Sequence, residues 1–169
     1  MKSLTPGTGF YRGVALSVMT KPGSSTTGSD AFTRAIRTAL DTIDPRTLHP
    51  VAPSDAGPAF QPKALLASIV YCYVRQIYGS TEIEGMLAGS TETRSFGLTT
   101  WPDAHLVLEF RRNNRKAIQL CLMTALWLLG LQKVKDGTVS KVNQECFAEE
   151  ATRRIIMAMF TDSMELGES

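Results

Sequence analysis

Four cations fall within six residues at Arg111, Arg112, Arg115 and Lys116. Guanidinium and ammonium groups at this density suit phosphate oxygens, so they are the candidate DNA contacts. Arg94 is the candidate extension of the cluster, with Arg75 a further basic position that the sequence alone does not put on the same face. The competing reading is a solvated boundary between two helices, with the arginines paired to Glu109 and other acids. No other grouping suggests chemistry. His49 and His105 stand alone, and no nucleophile or carboxylate is tied to either by spacing. Cys72, Cys121 and Cys146 are odd in number, far apart, and free of any CxxC spacing. They read as reduced thiols of a cytoplasmic protein rather than as a disulfide framework or a metal site. No catalytic residue, metal ligand, cofactor or small-molecule substrate is therefore expected.

The chain has 169 residues, 43% of them hydrophobic, and a net charge of +2. That is enough apolar material for one real core. The charge is nearly balanced, so any DNA contact must come from local clustering rather than from an overall basic character. The apolar run Ala117 to Leu129 is about 13 residues, short of the roughly 20 that span a bilayer, and reads as a buried helix with no membrane role.

The elements that would position the cations are helices. Residues 1–29, rich in Gly, Ser, Thr and Pro, read as a flexible leader. The rest, 30–169, reads as a single helical domain. Ser29-Asp30 signals a helix start, followed by Phe32, Ile36, Leu40 and Ile43 on one face. Asp44-Pro45 ends it, and 45–62 is an irregular connection. Pro62 opens a central helix through Leu66, Ile69, Tyr73 and Ile77, stopped by Gly79. Thr81-Glu-Ile-Glu84 has the form of a capping box for a short helix that turns Ile83, Met86 and Leu87 inward. The tight turn between the two is helix-turn-helix-like. A short piece through Phe96 and a start at Pro102-Asp103 follow, with Leu106, Val107 and Phe110 inward. The apolar helix is expected to end at Gly130, and Asp136-Gly137 marks a turn. A last helix over 143–165 carries Phe147, Ala151, Ile155 and Met159, with Glu149–Arg153 and Glu150–Arg154 as expected ion pairs. No period-2 strand is present, so the class is all-α, with about five to six helices.

Taken in order, several of these residues resemble the N-terminal domain of bacterial insertion-sequence transposases of the Asp-Asp-Glu type. The resemblance is carried by Pro62 with Leu65-Leu66, the Tyr71-Cys-Tyr73 helix and Ile77-Tyr-Gly-Ser-Thr-Glu-Ile-Glu84. Pro102-Asp103, Phe110-Arg111-Arg112 and the segment Gly130 to Thr138 continue it. It spans roughly residues 44 to 138, with 61–131 as its core. It implies binding to duplex DNA at terminal inverted repeats and a part in pairing subunits. Catalysis in that family belongs to a following RNase-H-like domain with three metal-binding carboxylates. Asp136 falls where the first of these would lie, but Lys133-Val-Lys135 precedes it rather than an apolar strand, so a turn is expected. Too few residues follow for that sheet, so the expectation is a non-catalytic domain. Leu106 and Leu108 cannot hydrogen-bond base edges, and Glu109 repels phosphate, which weakens a base-reading role for that helix. A second reading is a helical interaction or dimerisation module, with Met157, Met159 and Met164 offering an apolar face to a partner or a second copy.

Overall fold

A computed structural model describes residues 26–53, 57 and 59–167. The described residues form seven α-helices and no strand. The all-α expectation is met, with one helix more than the upper estimate. The helices are α1 (Thr26–Leu40), α2 (Pro62–Val74), α3 (Ser80–Gly89), α4 (Thr91–Ser95), α5 (Ala104–Asn113), α6 (Arg115–Lys135) and α7 (Gln144–Gly167), with a 3-10 turn at Pro45–Thr47. Helix α1 begins at Thr26, before the expected Ser29-Asp30 start. Of the flexible leader expected over residues 1–29, residues 26–29 belong to this helix and 1–25 lie outside the described residues.

The hub is α2. Every residue from Ala64 to Val74 is buried. Helices α1, α3, α4 and α6 pack around it, and α6 is itself held between α1 and α7. Each fully buried Leu, Ile or Val in such a helix contributes about 1.5–3 kcal/mol, and Leu65, Leu66, Ile69 and Val70 are wholly inaccessible. One continuous cluster results, running from Ala35 in α1 to Ala158 in α7. Pro62 takes the first helical turn of α2, as expected. The other end differs from expectation. The helix stops at Val74, before Gly79, because Gln76 adopts a left-handed φ of 63°. Gln76 N–H then donates to Tyr73 O and Ile77 N–H to Cys72 O, the paired bonds of a Schellman stop.

The described residues of the 45–62 connection are anchored. Asp44 caps the 3-10 turn through Arg46 N–H, and Leu48, Val51 and Phe60 reach the core. Phe60 N–H donates to Val51 O and closes the loop. The expected Thr81/Glu84 capping box does not form. The N-cap falls at Gly79, two residues before Thr81, so helix α3 starts at Ser80, and the Glu84 carboxylate accepts instead from Ala104 N–H at the start of α5. Helix α3 leans on α5 more than on α2.

Gly130 is not a stop. Helix α6 runs through it to Lys135, and Gly130 is where Phe147 of α7 lies against the backbone. The turn at Asp136-Gly137 is present, with Gly137 at φ 72°. At 21 residues α6 is, by length and composition alone, long enough to cross a membrane, which the shorter expected run was not. Here Ile118, Cys121, Leu122, Ala125 and Leu126 point into the core.

Candidate nucleic-acid interface

The cation cluster sits at a break between two helices. Asp103 starts α5 by accepting from Leu106 N–H at 2.8 Å. Along α5 the inward positions are Leu106, Val107, Phe110 and Arg111, and the next position on that face is Asn114. Asn114 is buried at the break. Its amide donates to His49 O and to Phe110 O, and its carbonyl oxygen accepts from His49 N–H at 2.7 Å. One side chain thus ties the 45–62 connection to the α5–α6 corner and fixes the angle at which the cations emerge.

Arg111 is a correction. It is not a surface contact: its residue exposure is 7%. Its guanidinium forms an ion pair with Asp162 of α7 and donates to Ser80 Oγ at 2.6 Å, Tyr78 O at 2.6 Å and Tyr73 Oη at 3.1 Å. Asp162 in turn accepts from Ser80 N–H at 3.0 Å and Ser80 Oγ at 2.9 Å. A carboxylate from the far end of the chain therefore serves the N-terminus of α3, where negative charge is favoured. Burial pushes the Tyr73 phenol up to about 12, against the opposing pull of Arg111, so it stays protonated. Arg111 binds α2, α3, α5 and α7 together, and the Nη donors that would meet a phosphate are spent inside the protein. The sequence does carry a signal of this: Arg111 shares the helical face of Val107 and Phe110.

Arg112, Arg115 and Lys116 are exposed and make no ion pair among the described residues. The expected pairing with Glu109 is not formed. Arg115 and Lys116 open α6, whose first turn holds no acid and whose N-cap, Asn114, gives no side-chain cap. Cations at the positive end of a helix dipole are locally unfavourable. The same arrangement adds the dipole to the side-chain charges and concentrates positive potential at one corner. Arg94 does not join them. It lies on α4 with its guanidinium 5.4 Å from the centre of the Trp101 ring.

Beside the corner lies a groove of about 240 Å³. Arg112 and Arg115 stand at it with Leu108, Ile118, Met159 and Leu166, and the Arg111–Asp162 pair lines it too. Next along α7, Arg154 is fully buried, donating to Tyr73 O and Val74 O at the C-terminus of α2. It also bonds Glu150, which takes Arg153 as well, so the expected Glu150–Arg154 pair is present. Arg153 pairs with Glu150 rather than with the expected Glu149. Burial works to raise the Glu150 pKa, but the hydrogen bonds from Arg153 and Arg154 outweigh it and hold the carboxyl below its ordinary range.

Among the described residues no group of three His, Cys, Asp or Glu side chains could hold a metal. Asp136 is exposed and accepts from Gln132 at the end of its own helix. Burial drives the Cys72 and Cys121 thiols up to about 12, which leaves them unreactive. No protein-family model, curated protein or solved structure matches this chain.

Proposed function

We propose that this chain is a transposase-like N-terminal domain that binds duplex DNA and serves assembly, with no catalysis of its own. Its place is the cytoplasm, and terminal inverted repeats are the DNA it is expected to meet. The observation that carries the reading is the α5–α6 corner, where Arg115 and Lys116 at the positive end of α6 and Arg112 on the last turn of α5 project without an ion pair among the described residues. A stretch that spends stability on uncompensated cations at a helix start departs from local folding rules, and such departures gather at functional sites. The contact is to phosphate oxygens. Leu106 is buried and Leu108 lies at the groove, so no base-reading helix is part of this proposal. Arg111 is removed from the contact set, and Arg94 lies outside it.

The test is fluorescence anisotropy with duplex DNA over a range of salt concentrations. Binding should weaken as salt rises. Replacing Arg112, Arg115 and Lys116 by Ala should lower the slope by about 0.9 for each phosphate that is no longer neutralised. No binding at low ionic strength, or a slope the triple variant leaves unchanged, would remove this reading. An association module is the second reading, favoured by the exposed apolar side chains on the C-terminal half of α7.

A further inference from the structure

The C-terminal half of α7 is apolar on its outer side as well as its inner one. Ile156, Met157, Met159, Phe160, Met164 and Leu166 all stand exposed, Phe160 at 60%, Ile156 at 53% and Met159 at 49%. Together they offer roughly 600 Å², the upper end of what a lone protein shows as its largest apolar patch. A standard interface takes about 800 Å² from each partner, so this face with its polar margins is of the size a stable pair needs. Ile156, Met159, Phe160 and Ser163 recur at steps of three and four, the seam along which two helices pack.

Charge selects the occupant. The margin of the seam carries Arg112 and Arg115 beside Met159 and Leu166. Seven residues before Ile156, on the same face, is Glu149, exposed and without an ion pair among the described residues. The outer face of α7 therefore carries an acid and an apolar seam, and the groove along its flank carries two arginines, none of the three in an ion pair among the described residues. Residues 1–25 make a poor occupant of the same face, because they contain Lys2, Arg12 and Lys21 and no acid.

We propose that a second copy of this chain docks here, α7 against α7 and antiparallel, with its twofold axis between Ile156 and Phe160. A symmetric pair brings each residue opposite its counterpart at equal distance from the axis. Glu149 lies about 13 Å along the helix from that axis, which carries it to the level of Leu166 and Gly167 on the other copy. That is the end of the groove that Arg112 and Arg115 line with Leu166, and neither arginine has an ion pair among the described residues. Each half of the dimer completes the other's charged margin, so the site exists only in the pair. One carboxylate faces three cations at each corner, and the corner stays positive. The pairing does not depend on DNA binding.

The experiment is sedimentation equilibrium on the full chain and its variants, with circular dichroism as the check on folding. The wild-type chain should show a species of twice the 18.5 kDa chain mass, dissociating on dilution. Phe160→Asp should give a folded monomer. Glu149→Arg alone, and Arg112→Glu with Arg115→Glu, should each raise the dimer dissociation constant at least about tenfold, because like charges then face each other. Combining the three reversals should restore most of the wild-type affinity. These positions are exposed, so the reversals remain informative if Phe160→Asp does not fold. A wild-type monomer at every concentration overturns the proposal. So does a dimer indifferent to Phe160→Asp, or a combined variant no tighter than its parts.

Discussion

Replacing Asp162 by Ala tests whether Arg111 is a structural cation. The substitution strands a guanidinium that is 7% exposed and leaves Ser80 N–H without its acceptor. Tyr73 Oη, Tyr78 O and Ser80 Oγ remain around Arg111, but none of them is charged. Breaking a buried pair from one side typically costs about 3–5 kcal/mol, because the surviving ion keeps its desolvation penalty and loses its partner. Against a typical total of 5–15 kcal/mol, that is a large fraction of the stability. The assay is urea unfolding followed by circular dichroism, with the free energy taken by linear extrapolation. Arg111→Met combined with Asp162→Leu should recover much of the deficit, since it removes both charges and refills the space. The pair of single variants with the double variant closes a thermodynamic cycle, and its interaction energy measures the coupling directly. A destabilisation under about 1 kcal/mol for Asp162→Ala, the range of an exposed ion pair, would refute the argument that Arg111 is internal.

Three further outcomes follow from the same structure. Gly130→Ala should destabilise by about 1–3 kcal/mol in thermal or urea unfolding, because overpacking a filled core displaces its neighbours; a Cβ there would lie 2.5 Å from Cζ of Phe147, which is buried and cannot swing away. Gly85→Ala, where a Cβ meets nothing within 4 Å, should instead stabilise by about 0.5–1 kcal/mol. Glu150 has a folded-state pKa below its ordinary 4.5, so its contribution is complete above that value and fades as pH falls through the lowered one. Glu150→Gln should therefore be much less stable than wild type at pH 7 and approach it in acid. A gap that persists unchanged through the acid range would contradict the Arg153 and Arg154 contacts.

Much of the helical framework is legible locally. Pro62, Asp103 and Gly137 act within a turn of their own position, through a fixed φ, a side-chain cap and a left-handed backbone. Apolar spacing likewise marks the inward faces, as Ile36, Ile83, Phe147 and Ala151 illustrate. Helix ends are less legible, because the bonds that satisfy them come from elsewhere. Glu84 has the sequence of a local cap and serves α5 instead, while α3 takes its acceptor from Asp162, 82 residues away. Gly130 has the sequence of a stop, yet the close approach of Phe147 keeps it inside a continuing helix.

The basic cluster divides along the same line. Its composition and its position near a helix boundary belong to the sequence, because charge count and the local break are local properties. Which cation is free does not. Arg111 and Arg112 are neighbours in sequence but about 100° apart around a helix. One faces the core, where α7 brings Asp162 to meet it, and the other faces outward. The outer face of α7 divides in the same way. Met157, Met159 and Met164 are apolar by sequence, but they are available to a partner because α6 packs against the opposite side of the helix, around Phe147 and Ala151, where Arg154 also binds the end of α2. Residue type set what each side chain could do; the packing of distant helices decided which of them was left with something to do it to.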